Sequence, residues 1–302
     1  MAGPVPRGLM PRRSVPYLLV ALAGFAAGLV AATSRPVAAE PIAPRVVRLE
    51  DPPLRSLDAS IWMQSAAEYR ACCHQAYNLA RRRLIEKLAD EPAGGWARPP
   101  AVVLDLDETV LDNGAFQTRM AANKLTFDEK SWADYEATGY NQVRLVPGAK
   151  DFLVEAKRRG VAVVYITNRS DAKASRDGTR NALELLGVDV PGDDLHGLAE
   201  KKPSDKTGRR AAVEGRYTVL LYVGDNLRDF HEGEFRSPLD NGRPGKGSND
   251  AAELRAAAAA RCAAVDRCRD LFGREWIILP NPAYGEWMKA AGRGEKDREL
   301  LR

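Results

Sequence analysis

The 302-residue sequence is poor in histidine, cysteine and aromatic residues: it has three histidines, four cysteines and 7% Phe, Trp and Tyr. His74, His196 and His231 are too scattered for a histidine-rich metal site. No Arg-His-Gly sequence occurs, so chemistry through a phosphohistidine has little support. A charge surplus is missing as well. The formal net charge is +4, but residues 1–39 carry Arg7, Arg12, Arg13 and Arg35 and no acid. Without those arginines, 41 basic residues face 41 acidic ones. A neutral body gives no electrostatic reason to expect a nucleic-acid polymer as partner. What remains, at 45% hydrophobic and 28% charged, is the composition of an ordinary globular protein with room for one large domain or two modest ones.

Residues 1–39 read as a signal peptide. Arg12 and Arg13 supply a positive start, Tyr17 to Ala32 is an uncharged apolar run of 16 residues, and Val37-Ala38-Ala39 offers small residues for cleavage before Glu40. A spanning helix needs about 20 apolar residues, so no stable membrane anchor is expected. Arg12-Arg13-Ser14 leaves Sec and twin-arginine export both open. The expected location is extracytoplasmic, periplasmic or secreted. Export permits disulfides among Cys72, Cys73, Cys262 and Cys268, and their connectivity stays open. Cys73 shares a helical face with Tyr69, Tyr77 and Leu84, which predicts a buried thiol.

Past the prolines of an extended segment over 40–56, apolar residues recur at helical spacing from Leu57 to Ala89. Ala101 to Leu106 is a short apolar run ending in acids, as expected of a buried parallel strand. Pro147 opens a helix that runs to about Arg159, and Val161 to Thr167 is a second strand. Helices follow over Asp171 to Leu186 and 203–215, then strands over Tyr217 to Val223 and Trp276 to Leu279. Strands alternating with helices predict an α/β fold with a Rossmann-like parallel sheet, whose sites lie at the carboxyl ends of the strands. Ser237 to Asp250 is rich in Gly, Pro and Asn and reads as a mobile insertion. Ala251 to Ala264 is an alanine-rich helix.

Each strand is followed or preceded by chemistry-bearing residues. Asp105-Leu-Asp107-Glu-Thr109 follows the first, Thr167-Asn168-Arg169 the second, and Lys206 stands before the third, which ends in Gly224-Asp225 with Asp229 close behind. Asp-x-Asp-x-Thr alone is expected by chance on the order of 0.1 times in a chain this size. Acids that merely cap helices or solvate loops would explain one of these groups but not an ordered set. Several carboxylates meeting in one crevice call for a cation, and all-oxygen donors favour a hard one, most simply Mg2+.

DLDETVLDN, TNR, the lysine of DKTGRR and GDNLRDF resemble the four motifs of haloacid dehalogenase superfamily phosphatases. With QSAAEYRACCHQAYNLA, FDEKSWADY, VPGAKDFL and FGREWIILPNPAYGEW, the likeness spans about residues 57–290. More narrowly, the chain resembles the class C bacterial acid phosphatases, the lipoprotein acid phosphatase/5'-nucleotidase family. The resemblance implies Asp105 as nucleophile and Asp107 as acid and base. It implies Thr167, Asn168 and Lys206 on the phosphate, and Mg2+ held by Asp105, Asp107 (through its carbonyl), Asp225 and Asp229. Trp132 and Tyr284 stand where the family clamps a nucleotide base. Lys201 and Lys202 lie close enough to compete with Lys206 for its role. The leader lacks a lipid-attachment cysteine, so the lipoprotein label does not carry over.

The expected protein is an exported Mg2+-dependent acid phosphatase, a hydrolase of phosphomonoesters including 5'-nucleotides. Its core would span about 100–112, 146–236 and 275–282. A smaller, mainly helical cap would come from 57–90, 113–145 and the C-terminal part of the 57–302 domain. Its partner is a small-molecule phosphomonoester, and a homodimer stays open. Two alternatives remain: a phosphotransferase using the same aspartyl-phosphate, and a catalytically silent storage or binding protein on the same fold. Retention of Asp105 argues against the second. Cys268 to Arg274 fits the Cys-x5-Arg spacing of thiolate phosphatases, but it follows a helical run and has no glycine loop to cradle phosphate, so that chemistry is rejected.

Overall fold

Among the described residues seven strands run in chain order: β1 (Pro100–Leu104), β2 (Leu111–Asp112), β3 (Arg144–Leu145), β4 (Ala162–Ser170), β5 (Leu195–Leu198), β6 (Thr218–Gly224) and β7 (Trp276–Ile278). Five of them form a parallel sheet in the order β5-β4-β1-β6-β7. This computed structural model describes residues 57–290 apart from 124, 126, 200–203, 238 and 240–249. The expected leader, the 40–56 segment, Lys201, Lys202 and nearly all of the expected insertion lie outside the described residues.

β1 shows why the sheet is parallel and central. Val102 and Leu104 enter the large core on one face, while Ala101 and Val103 meet Val164, Ile166 and Val213 on the other. A strand covered on both faces needs an unbroken apolar run, and PAVVL supplies one. β5 escaped the sequence reading because LHGL breaks that pattern with His196 and Gly197 at the sheet edge. β4 runs to Ser170, past the expected end at Thr167.

Helices flank the sheet. α1 (Leu57–Ser65) precedes α2 (Ala67–Ala89), whose Tyr69, Cys73, Tyr77, Ala80 and Leu84 form a buried stripe. α2 lies against β6, β7 and α5 (Ala149–Arg158). Cys73 is buried as its periodicity predicts, and all four cysteines are free thiols.

The chain leaves the core after β2 and returns at β3, and these two strands pair antiparallel as Leu111↔Leu145 and Asp112↔Arg144. Between them stand α3 (Gly114–Ala122), which meets α1, and α4 (Glu129–Thr138), which packs on α6 (Lys173–Leu186). Gly178 permits that approach, since a Cβ there would lie 2.1 Å from the Glu136 carbonyl oxygen. The remaining helices are α7 (Thr207–Arg216), α8 (Glu232–Phe235), α9 (Ala251–Arg267) and α10 (Trp287–Ala290). Among the described residues no helix is long and apolar enough to cross a membrane.

Candidate active site

Parallel pairing brings the ends of β1 and β6 side by side. The ladder continues past β1, with Asp105 N–H donating to the Val223 carbonyl at 3.0 Å. Asp105, Asp225 and Asp229 then converge so that one oxygen of each lies within 4.8 Å of the others. Gly224 makes room for this, because a Cβ there would sit 2.4 Å from Asp229 Oδ2. Lys206, at the start of α7, is 4% exposed; its ammonium donates to Asp105 Oδ1 and, at 2.7 Å, to Asp229 Oδ1.

These carboxylates are short of positive charge. Burial pushes the Asp105 carboxyl up to about 7; Lys206 opposes that shift, while Asp229 and Asp107 add to it. Burial likewise raises Asp225 well above the ordinary range, helped by Asp229 and Asp105. Burial alone would lower Lys206, but Asp105 and Asp229 outweigh it and keep the ammonium charged. One ammonium stands among three carboxylates, Asp105 buried and Asp225 and Asp229 half-buried, in a pocket of hard oxygen donors. That donor set fits a divalent cation.

Asp107 points elsewhere. Its Oδ1 accepts Arg169 Nε at 2.8 Å and Asn113 Nδ2 at 2.8 Å. Its carboxylate is not part of the three-acid cluster. Arg169 in turn donates through Nη2 to Asn113 Oδ1 at 2.9 Å. Between Asp107 and Asn113 the backbone makes a tight turn in which Leu111 N–H donates to the Leu106 carbonyl at 2.8 Å. Glu108 sits in this turn at φ 55°, a left-handed conformation that a non-glycine residue adopts at a cost of about 1–2 kcal/mol. Its fully buried carboxyl, raised well above the usual range by burial and then by Asp107 and Asp225, accepts Asn113 N–H at 3.0 Å and the Tyr284 hydroxyl.

Strand alternation places Thr167 and Arg169, both buried, on one face of β4 and Asn168, which is exposed, on the other. Thr167 Oγ1 accepts Arg169 N–H at 3.1 Å. Arg209 of α7 donates to the Thr167 carbonyl and, at 2.7 Å, to Asn168 Oδ1. Trp132 lies in an aromatic cluster, 5.0 Å from the Phe116 ring and 5.6 Å from Tyr135, with the Arg169 guanidinium 5.6 Å from its centroid. Tyr284 is half-buried in the turn after β7. Among the described residues no ring contact joins Trp132 to Tyr284.

The structure therefore gathers Asp105, Lys206, Asp225 and Asp229 at one point and Asp107 beside it. Sequence reasoning passed over Arg169, Asn113, Glu108 and Asn281 as working residues. Arg169 was findable, since a charged residue two places after Thr167 in a strand shares its buried face. Asn281 was not, because its Nδ2 reaches Asp225 Oδ2 at 2.8 Å only through the pairing of β7 with β6.

A strand-end aspartate against a buried lysine, with an acid cluster on the neighbouring strand of a parallel sheet, defines a phosphomonoesterase of the haloacid dehalogenase type. Residues 49–287 match the family described as HAD superfamily, subfamily IIIB (acid phosphatase), and the chain belongs to that family. It is similar to the class C acid phosphatase from Bacillus anthracis, with 32% identity and a TM-score of 0.64 over 79% of this chain and 88% of that one. The tungstate-bound structure of the Bacillus anthracis enzyme matches with 31% identity and a TM-score of 0.63 over the same shares. The protein is an acid phosphatase, a phosphomonoesterase.

Proposed function

We propose that this chain is an exported, Mg2+-dependent acid phosphatase that hydrolyses phosphomonoesters, 5'-nucleotides among them, through an aspartyl-phosphate on Asp105. The observation that carries the reading is the Lys206 ammonium set between Asp105 and Asp229 at the strand ends. Asp105, Asp225 and Asp229 would hold the ion, with the Asp107 carbonyl completing its protein ligands. When bound, the ion offsets the repulsion between the Asp105 carboxylate and an anionic phosphoryl group.

The chain's own residues do the rest. Lys206 and the Thr167 hydroxyl bind phosphoryl oxygens, with Asn168 beside them. Asp105 attacks phosphorus, a new P–O bond forms to its carboxylate, and the ester P–O bond breaks. Asp107, held through Oδ1 by Arg169 and Asn113, gives its proton to the departing oxygen. It then takes a proton from water, which attacks phosphorus, breaks the bond to Asp105 and releases phosphate. Binding of tungstate by the Bacillus anthracis relative supports a site shaped for a tetrahedral oxyanion. Trp132 and Tyr284 would clamp the nucleotide base. The leader reading of residues 1–39 supports export, with a mature chain that begins near Glu40.

The test is phosphate release from nucleotides, sugar phosphates and phosphotyrosine, with Mg2+ and with EDTA, by the wild type and Asp105→Asn. The variant should fold and lose several orders of magnitude in kcat. If it retains more than about a tenth of wild-type kcat, Asp105 is not the nucleophile.

A further inference from the structure

Asn281, in the turn after β7, binds both the acid cluster and the segment that carries Tyr284. Its Nδ2 donates to Asp225 Oδ2 at 2.8 Å. Its Oδ1 accepts Ala283 N–H at 3.0 Å and Tyr284 N–H at 3.3 Å. The other carboxylate oxygen of Asp225 accepts the Thr109 hydroxyl at 3.3 Å. Each carboxylate oxygen has two acceptor positions, so both bonds leave Asp225 able to ligate a cation.

The segment is fastened at two further points and closed on itself at a third. The Tyr284 hydroxyl donates to buried Glu108. Trp287 Nε1 donates to the Asn281 carbonyl at 3.2 Å. Arg228, in the loop that carries Asp225 and Asp229, donates to Glu286 at 2.7 Å. Residues 281–287 are thus clipped to the loops after β1 and β6, and Asn281 is the side chain that joins Asp225 directly to the Tyr284 backbone.

We propose that Asn281 is a positioning residue that fixes the Asp225 carboxylate for the metal ion and, through its other amide atom, sets the turn that presents Tyr284 to the substrate. The inference rests on the reading of this site as a Mg2+ phosphatase. It adds that metal affinity and recognition of the part of the substrate remote from phosphorus share one amide group. A residue that orients a ligating carboxylate typically affects metal affinity about 10- to 100-fold when removed.

Two variants separate the two halves of the amide. Asn281→Ser keeps a side-chain oxygen that can accept an N–H two residues on, as serine does in such turns, but is too short to reach Asp225. Asn281→Ala loses both functions. Mg2+ binding to the full chain is measured by titration calorimetry without substrate, and KM for a 5'-nucleotide and for a ringless phosphate under saturating Mg2+. Both variants should raise the Mg2+ Kd about 10- to 100-fold. Asn281→Ala alone should also raise the nucleotide KM relative to the ringless one. A Kd raised less than about threefold in the serine variant overturns the role toward Asp225. Equal KM changes on both substrates in the alanine variant overturn the role toward Tyr284. Should the alanine variant not fold, the same KM comparison on Asn281→Asp replaces it, since that variant keeps the oxygen that accepts the Ala283 and Tyr284 N–H groups and loses only the donor to Asp225: a selective nucleotide loss there would remove the turn from the explanation. If the wild type itself binds no Mg2+, it is the reading of the site as a metal centre that fails.

Discussion

Arg169 Nε donates to Asp107 Oδ1 at 2.8 Å from a guanidinium side chain that is only 2% exposed. Burial disfavours the cation, and Asp107 more than compensates by charge and hydrogen bonding, so the arginine stays protonated. The pair thereby gives the proposed acid and base a single orientation.

Removing one partner of a buried pair strands the other. Arg169→Ala should destabilise the fold by about 3–5 kcal/mol. It should also lower kcat by roughly 100-fold or more through misplacement of Asp107. Arg169→Lys restores charge but not the fork that reaches both Asp107 and Asn113, so it should recover melting temperature better than kcat. Thermal melting and steady-state kinetics on both variants check this. Wild-type kcat in the alanine variant would detach Arg169 from the chemistry.

The acid cluster predicts an inverted pH dependence without metal. The folded-state carboxyl of Asp105 titrates at about 7, above its ordinary 3.8. The native state therefore binds more protons than the unfolded chain across that window, and stability falls as pH rises from about 4 to 7. Melting temperature in EDTA should drop over this range, less steeply in Asp105→Asn, and added Mg2+ should raise it more at pH 7.5 than at pH 5 because protons compete with the ion. A metal-free melting temperature with the same pH slope in wild type and variant would refute the assignment.

Gly224→Ala probes the approach of Asp229. The added Cβ would lie 2.4 Å from Asp229 Oδ2, so that carboxylate must shift from the place where Oδ2 accepts Asn226 N–H and Oδ1 accepts Lys206. Overpacking of this kind costs about 1–3 kcal/mol. Mg2+ affinity and kcat should both fall, as read by calorimetry and phosphate release. Unchanged Mg2+ affinity would mean that Asp229 does not orient the ion.

Trp132→Ala tests the nucleotide part of the reading. Stacking of a base on one aromatic ring is worth about 1–3 kcal/mol, so KM for a 5'-nucleotide should rise roughly 5- to 150-fold. Hydrolysis of a ringless phosphate should stay within about twofold. The ring also packs on Phe116 and Tyr135, so some loss of melting temperature is expected. Equal kinetic losses on both substrates would reduce Trp132 to that packing role.

Much of this architecture was legible in the chain because it is local. PAVVL followed by DLD declares a buried strand that ends in acids, and the apolar spacing of α2 declares its buried stripe. The position of α2 was not legible, since a stripe says that a helix is covered but not by what. The same holds for α4 on α6, which depends on Gly178 at a helix contact distant in sequence.

The site divides along the same line. Asp105, Asp107, Thr167, Asp225 and Asp229 could be singled out because each stands at or shortly after a strand end and parallel strands bring such ends together, whereas Lys206, at the start of α7, had Lys201 and Lys202 as rivals. What only the tertiary structure decided is which groups share a proton, a charge or an amide. Arg169 reached Asp107 across the sheet, Tyr284 reached Glu108 from the far end of the chain, and Asn281 met Asp225 through the pairing of β7 with β6. Hydrogen bonds and ion pairs act over a few ångströms. Their partners are therefore set by which strands become neighbours, a property of the whole fold that no local pattern encodes.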